Sequence, residues 1–273
     1  MSARSMIRRV AVACSMAAAV IALGAGCANN SSNDGSQSRP PSRSPADRPF
    51  DARVSAKAHT ELAAGYLELG NLAVAFEEAT LAVSTDGSYA LAHSMLGLVQ
   101  TEMREVGPAQ ASFDRALRLD AKDPDINHNY GWFLCQTGRE RESVKFFMTA
   151  TSNPLYPSPA RSHASAGICL QKIGDVNGAL AQIDRALQID ANHASALFAG
   201  ARLDLTRRDI ERSRIRISRF NQITSPTAES LWLALRIERL RGDKGAEASF
   251  ASQLRRRFPG SKEFQAYERG QFE

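Results

Sequence analysis

Residues 124–157 read PDINHNYGWFLCQTGRERESVKFFMTATSNPLYP, and the 34 residues before them, 90–123, read ALAHSMLGLVQTEMREVGPAQASFDRALRLDAKD. When the two stretches are aligned, Gly97 and Gly131 share the eighth position, and an alanine stands at the twenty-seventh position of both. A pattern that recurs at a fixed period of this length is typical of repeat proteins, in which each unit packs on its neighbours. The period therefore decides the fold class.

The same period extends in both directions along the chain. Successive frames start at Ala56, Ala90, Pro124, Ala160, Ala194 and Ala228. A two-residue insertion, Ser158-Pro159, precedes the fourth frame. The six frames cover residues 56–261, and we expect residues 262–273 to form a short helix that caps the last repeat, since a terminal repeat must shield its open face.

Small residues recur where two antiparallel helices must approach closely. They occupy position 8 (Ala63, Gly97, Gly131, Gly167, Ala201), position 20 (Ala75, Ala109, Ser143, Ala179, Ser213) and position 27 (Ala82, Ala116, Ala150, Ala186). A glycine stands at position 15 in four frames: Gly70, Gly138, Gly174 and Gly242. The pattern resembles the tetratricopeptide repeat. The sequence therefore predicts an all-α protein, a right-handed α-solenoid of about six such repeats.

The first 26 residues have the order of a bacterial export signal. Arg4, Arg8 and Arg9 precede an uncharged run, 10–25, that ends in small residues. At roughly 16 residues, the run is shorter than the about 20 that a membrane-spanning helix needs. We therefore interpret residues 1–26 as a signal peptide.

Cys27 follows the small residues directly. The segment Leu23-Gly24-Ala25-Gly26-Cys27 resembles the lipobox of bacterial lipoproteins, although Gly24 stands where an aliphatic residue is usual. The resemblance implies an acylated Cys27, and the absence of Asp at Ala28 implies delivery to the outer membrane. The alternative is a secreted protein with an incidental thiol. Residues 27–55 are rich in Asn, Ser, Pro and Arg, and we expect a lipidated cysteine followed by a disordered tether.

Charge gives little support for nucleic-acid binding. The net charge of +5 includes the three leader arginines, and an exported protein seldom meets nucleic acid. Positive charge concentrates in the fifth frame, at Arg202, Arg207, Arg208, Arg212, Arg214, Arg216 and Arg219. Two interpretations stay open: contact with acidic head groups, glycans or an acidic partner, or a solvated helical face.

Catalytic and metal-binding patterns are missing from the sequence. It contains no phosphate-binding glycine loop, paired-histidine zinc helix, nucleophile elbow or CxxC pair. His59, His93 and His163 all occupy position 4 of their frames, which packing explains more simply than metal binding. We therefore expect neither an enzyme nor a metal or other cofactor.

Two cysteines, Cys135 and Cys169, lie on the first helices of neighbouring repeats. Export exposes a chain to an oxidising environment, and adjacent helices bring thiols within bonding reach. A disulfide that ties the third repeat to the fourth is one interpretation. The other is two buried free cysteines that act as small hydrophobic residues.

Solenoids of this type bind partners along the concave face, which the first helix of each repeat lines at positions 2, 5, 9, 12 and 13. Position 9 carries Ala64, Leu98, Trp132, Ile168, Arg202 and Arg236, an apolar stripe with a basic end. An exposed groove indole is a strong anchor, and nearby polar side chains are suited to bind a peptide backbone. The predicted partner-binding groove comprises Leu98, Asn129, Trp132, Gln136, Ile168 and Gln171. The alternative is that Leu98 and Ile168 only pack between repeats.

One stretch identifies a family resemblance. Residues 125–135, DINHNYGWFLC, followed by Gly138-Arg139, resemble the signature of the PilF/PilW type IV pilus biogenesis lipoproteins. Residues 153–156, NPLY, and 167–171, GICLQ, extend the resemblance, which covers nearly the whole repeat region.

This resemblance implies a pilotin. Such a protein is an outer-membrane lipoprotein on the periplasmic face that binds the pilus secretin subunit and promotes its insertion and multimerisation. The partners are then a secretin segment in the groove and the membrane through the lipid anchor. A general periplasmic scaffold for cell-wall or outer-membrane protein assembly shares the same leader and repeats and stays open as an alternative.

Overall fold

The computed structural model describes residues 51–272. The predicted signal peptide, the lipidation of Cys27 and the tether as far as residue 50 lie outside the described residues. No helix in the described part is both long enough and apolar enough to cross a membrane.

The described residues form thirteen α-helices and no strand. Their bounds are α1 Ala52–Glu68, α2 Leu72–Thr85, α3 Ala90–Glu102, α4 Val106–Leu119, α5 Pro124–Gln136, α6 Glu140–Thr151, α7 Pro159–Lys172, α8 Val176–Ile189, α9 Ala194–Thr206, α10 Ile210–Ile223, α11 Ala228–Arg241, α12 Lys244–Arg257 and α13 Lys262–Glu268. The first twelve helices are six antiparallel pairs that follow the 34-residue frames. The predicted α-solenoid of helical repeats is confirmed.

The helices form two layers. Each odd-numbered helix from α1 to α9 packs on its own even-numbered partner and on the next odd-numbered helix. Within residues 51–272, the backbones of the even-numbered helices are not in contact with one another, although Arg212 and Arg216 of α10 reach Asp184 of α8 through their side chains. The odd-numbered helices therefore form the closely packed inner layer, and their side chains line the concave face.

Small residues at position 8 make room for large ones from the second helix of each repeat. Phe113 packs on Gly97, Phe147 on Gly131 and Ile183 on Gly167. In the first repeat two alanines, Ala63 and Ala79, share the same place. Because protein interiors are packed to near crystal density, the sizes at the two positions are inversely related: glycine faces phenylalanine or isoleucine, and alanine faces alanine.

The turns inside the repeats use left-handed backbone at position 15. Gly70, Gly138, Gly174 and Gly242 have φ between 73° and 83° there. In the second and fifth repeats the same position is Arg104 (φ 64°) and Arg208 (φ 61°), a conformation that costs a side chain about 1–2 kcal/mol.

Two boundaries differ from the frames. Helix α1 begins at Ala52, four residues before the first frame, so the predicted tether to residue 55 is too long. Asp51 caps this helix by accepting hydrogen bonds from the Arg53 and Val54 N–H groups, and the Arg53 side chain holds Asp86 at 2.6 Å. Helix α7 begins at Pro159, one residue before the fourth frame. The insertion before that frame lengthens the loop between α6 and α7, where Tyr156 is buried.

The final helix covers the end of the sixth repeat. Helix α13 packs on α11 and α12 through Phe264, which is buried in a cluster with Leu231 and Leu254. After α13 the chain turns back, and Phe272 stacks on Trp232. The predicted C-terminal cap is thus a helix of seven residues followed by a tail that lies on the concave face.

Candidate functional site

A cleft of about 580 Å³ opens on the concave face beside the third repeat. Leu67, Leu98 and Trp132, from α1, α3 and α5, form its apolar walls. We call it the Trp132 cleft. Because its walls come from three successive inner helices, it exists only once the repeats are stacked.

The predicted groove residues are distributed over three clefts. Leu98, Asn129 and Trp132 share the Trp132 cleft. Gln136 lines an adjacent cleft of about 670 Å³, which Trp132 also borders, at the ends of α3 and α5. Ile168 and Gln171 lie further along, in a cleft of about 340 Å³ shared with α9 and α11. The structure therefore brings three of the six residues together and places the other three at neighbouring positions on the inner helices.

Trp132 and Leu98 are half-buried. One side of Trp132 packs against Phe147 and the cysteines of α5 and α7, and Leu98 packs against the cluster around Phe113. Their remaining surface lines the cleft. Each of these two side chains thus packs between repeats and also forms part of the surface of the cleft.

Cys135 and Cys169 are joined by a disulfide, with 5.8 Å between their Cα atoms. The bond ties α5 to α7 directly beneath Trp132. It closes a separation of 34 residues. Covalent closure of this kind removes freedom from the unfolded chain and holds the two inner helices of the cleft in register.

Two buried polar side chains of α5 lie at the floor of the cleft. Nδ1 of His128 lies 2.9 Å from the Ser162 hydroxyl, and Asn129 donates from Nδ2 to the Ser94 hydroxyl at 3.2 Å. Burial and, to a smaller extent, the charge of Arg161 lower the pKa of His128 to about 3. The ring is therefore neutral at physiological pH.

Charged side chains surround the opening. Glu68 and Glu102 lie on one wall, and Arg161 lies on the other. Arg161 pairs with Asp125 at 2.9 Å. No ion pair of Glu68 or Glu102 is present within residues 51–272. The two glutamates, which we call the acidic rim, give their side of the opening a negative charge.

The sequence did not predict His128, Arg161 or the acidic rim as site residues. His128 stands at position 5 of its frame and Arg161 at position 2, and both rim glutamates stand at position 13. Positions 2, 5 and 13 line the groove of this repeat, as position 9 does. All four side chains could therefore be found by reading every groove position in the sequence.

The arginine-rich fifth repeat is not a free cationic surface. Arg212 and Arg216 both contact Asp184, Arg216 lies 2.9 Å from Asp204, and Arg214 pairs with Glu238. Burial raises the pKa of Asp204 to about 6, although both arginines oppose this. Three of the seven arginines are thus paired with carboxylates, and both interpretations of the fifth-repeat charge stay predictions for Arg202, Arg207, Arg208 and Arg219.

Two of the three repeated histidines, His59 and His163, join the two helices of their own repeat, and His93 Nε2 lies 3.0 Å from the Gly87 carbonyl oxygen in the loop before α3. Nδ1 of His59 lies 2.6 Å from Glu78 Oε2, and Nδ1 of His163 lies 2.7 Å from Gln182 Oε1. Within residues 51–272, no three His, Cys, Asp or Glu side chains are arranged to hold a metal ion.

Similarity to known proteins covers most of this structure. The chain is 30% identical over 212 residues to the type IV pilus assembly protein PilF of Pseudomonas aeruginosa, a match that covers 77% of this chain and 84% of that protein. No protein-family model matches the chain.

Solved structures give the same result. The structure from the functional characterization of Pseudomonas aeruginosa PilF superposes with a TM-score of 0.70 at 27% identity, over 80% of this chain and 99% of that one. PilW, described as a widely conserved type IV pilus biogenesis factor, superposes with a TM-score of 0.70 at 27% identity, over 78% of this chain and 98% of that one. With its stacked helical repeats and this similarity along most of its length, the chain belongs to the PilF/PilW family of tetratricopeptide-repeat type IV pilus biogenesis proteins.

Proposed function

We propose that this protein is a pilotin of the cell envelope, which binds the pilus secretin and promotes its localisation and multimerisation in the outer membrane. The observation that carries the proposal is the open, apolar Trp132 cleft in a chain of the PilF/PilW family. A half-buried indole in a rigid wall is a strong anchor for a protein partner. The role makes and breaks no covalent bond, so it needs neither a cofactor nor a catalytic group.

The address is a separate part of the proposal. Acylation of Cys27 supplies the membrane anchor, and the polar segment that follows supplies reach between the membrane and the repeats. Both features are argued from sequence. The repeats then hold a secretin segment at the periplasmic face of the outer membrane until it assembles.

Deletion and complementation of the gene test this function. In fractionated membranes of the deletion strain, we expect the heat-resistant secretin multimer to be lost from the outer membrane and restored by the wild-type gene. Cys27→Ala is expected not to restore it there, because the protein is no longer anchored. An unchanged multimer in the deletion strain contradicts the pilotin role and favours the general periplasmic scaffold.

The site has its own test. Trp132→Ala is expected to lower the affinity for purified secretin at least tenfold while the thermal unfolding midpoint shows a folded protein. Trp232→Phe is the matched control, because Trp232 lies on α11 against Phe272 and outside the Trp132 cleft. Equal affinity of the two variants contradicts the assignment of the site.

A further inference from the structure

Two atoms at the floor of the Trp132 cleft have unused hydrogen-bonding capacity. His128 and Asn129 are only 6% and 9% exposed. Each uses one polar atom within the fold, His128 Nδ1 and Asn129 Nδ2. Within residues 51–272, His128 Nε2 and Asn129 Oδ1 make no hydrogen bond, and both side chains line the cleft. Buried polar groups are nearly always hydrogen-bonded. These two atoms have no partner within the fold and face the cleft, so they are available to a ligand.

The neighbouring hydroxyls determine the role of His128. Arg161 can only donate, and its Nη2 lies 3.3 Å from the Tyr156 hydroxyl. Ser162 donates its proton to the same Tyr156 oxygen, also at 3.3 Å, so the Ser162 oxygen accepts from His128 Nδ1 at 2.9 Å. A neutral ring that carries its proton on Nδ1 has an acceptor at Nε2. The cleft therefore offers two acceptors, His128 Nε2 and Asn129 Oδ1.

Two acceptors on consecutive residues match N–H donors of an extended peptide, which carries one on the backbone of each residue other than proline. We call His128 and Asn129 the polar pair. The cleft walls beside the polar pair are apolar, and the acidic rim carries two negative charges. A ligand that satisfies all three features has an exposed backbone, a bulky apolar side chain and a nearby positive charge.

The C-terminal tail of this chain already lies as an extended segment on the inner face of the sixth repeat. The Phe272 carbonyl oxygen accepts a hydrogen bond from Arg236 Nε at 2.9 Å, and the Phe272 ring stacks on Trp232 with 5.5 Å between centroids. The Arg239 guanidinium lies 3.8 Å from the same ring. The inner face of the sixth repeat thus binds one backbone carbonyl and one apolar side chain of an extended tail.

The two sites use the same frame positions with exchanged roles. In the sixth repeat, position 5 is the aromatic Trp232 and position 9 is the donor Arg236. In the third repeat, position 5 is the polar His128 and position 9 is the aromatic Trp132. The contact at Phe272 is therefore a precedent within this chain for an extended segment held by one aromatic and one polar side chain of the inner face.

We propose that the Trp132 cleft binds an extended segment of a protein partner that carries a bulky apolar residue next to a lysine or arginine. The polar pair accepts hydrogen bonds from N–H groups of the segment. The apolar side chain lies between Leu67, Leu98 and Trp132, and the basic side chain faces the acidic rim. This inference rests on the proposed function for the identity of the partner, and it names the class of segment recognised.

Synthetic peptides test the chemistry without the secretin. The probes are octapeptides with acetylated and amidated ends, in which a central Leu, Ile or Phe is flanked by Lys, Ser or Glu. Binding to the full chain is measured by tryptophan fluorescence in the Trp232→Phe background, where Trp132 is the one remaining indole of the chain. We expect Lys-flanked peptides to bind at least tenfold more tightly than Glu-flanked ones, and Glu68→Gln with Glu102→Gln to abolish that preference.

A backbone ester tests the polar pair. Replacing the bound N–H of the best peptide by an ester oxygen removes the hydrogen bond to Asn129 Oδ1. We expect about a tenfold loss with the Asn129-containing protein and less than a twofold loss with Asn129→Leu. Gln222→Leu, which replaces an exposed amide on α10 away from the groove, is the control and should behave like the parent. Equal binding of all the peptides, no binding of any, or an ester effect that Asn129→Leu leaves unchanged overturns the inference.

Failure of this inference can be distinguished from failure of the proposed function. If the octapeptides bind as expected but cells with the gene deleted still assemble the secretin multimer, the cleft chemistry stands and the pilotin role fails. If deletion abolishes the multimer but no octapeptide binds, the pilotin role stands and the cleft chemistry fails.

Discussion

Ile183 packs directly on Gly167. A Cβ atom built on Gly167 would lie 2.7 Å from Ile183 Cγ1 and 2.9 Å from the Ala179 carbonyl oxygen. The second contact is to backbone, so it cannot be relieved by a change of rotamer. The fourth repeat therefore requires glycine at position 8 as long as isoleucine occupies position 24.

A pair of glycine substitutions measures how tightly Ile183 is packed on Gly167. Gly167→Ala should lower the free energy of unfolding by about 1–3 kcal/mol, because it overpacks the contact between α7 and α8. Gly65→Ala is the matched control on an exposed helical surface, where nothing lies within 4 Å. It should raise stability by about 0.5–1 kcal/mol through helix propensity. Urea unfolding of both variants checks the prediction, and a stable Gly167→Ala protein would contradict it.

The disulfide between Cys135 and Cys169 should contribute to stability and to the cleft. Cys135→Ala with Cys169→Ala is expected to lower the free energy of unfolding by about 2–4 kcal/mol. A reducing agent should lower the stability of the wild-type chain similarly and leave the double variant unchanged. Thermal melts with and without reductant measure this. If reductant has no effect on the wild type, the bond contributes nothing.

The buried pair of Asp204 and Arg216 should be costly to break from one side. Asp204 is 1% exposed, and the Arg216 guanidinium lies against Gly200 between α9 and α10. Asp204→Ala leaves a buried positive charge with one partner fewer, and we expect a loss of about 3 kcal/mol. Asp204→Leu combined with Arg216→Met should recover most of that loss. Chemical denaturation of the three proteins tests the pair, and a double variant no better than the single one argues against it.

His128 should make stability depend on pH. Its pKa is about 3 in the folded chain and about 6.5 when unfolded, so the unfolded state binds a proton first as pH falls. The contribution of His128 is therefore complete above pH 6.5 and decreases at up to about 1.4 kcal/mol per pH unit down to pH 3. Asp204, with its pKa raised to about 6, acts in the opposite direction between pH 6 and its ordinary value of 3.8.

Because the two effects oppose each other, the measurement is a difference. The free energy of unfolding of the wild type and of His128→Phe is determined from pH 4 to pH 8, and one curve is subtracted from the other. The Asp204 contribution cancels in that difference. We expect the stability of the wild type relative to the variant to fall as pH decreases below 6.5. A flat difference curve contradicts a neutral, buried His128.

Much of the fold could be predicted because the repeat period is visible in single residues. Gly97, Gly131 and Gly167 recur at the same frame position, and each is in contact with a large side chain from the second helix of its repeat. Frame starts at Ala90, Pro124, Ala194 and Ala228 coincide with the first residues of helices.

The site was predictable only in part. Position 9 led to Leu98 and Trp132, and Asn129 was predicted as a polar neighbour of Trp132, but His128 and the acidic rim lie at groove positions 5 and 13. The pairing of the fifth-repeat arginines was not predicted, because Asp184 and Glu238 lie in the preceding and following repeats. Charge counted along one frame does not include neutralisation across the stacking interface.

The amino-acid sequence by itself determined the repeat, its number and the close contacts within each pair of helices, because those contacts join residues of one frame. The tertiary structure decided the properties that arise between frames. These include the separation of the groove into clefts, the neutralisation of the arginines and the proton position on His128. The physical reason is that stacking places residues from three successive inner helices around one space, and their mutual distances depend on the superhelix as a whole.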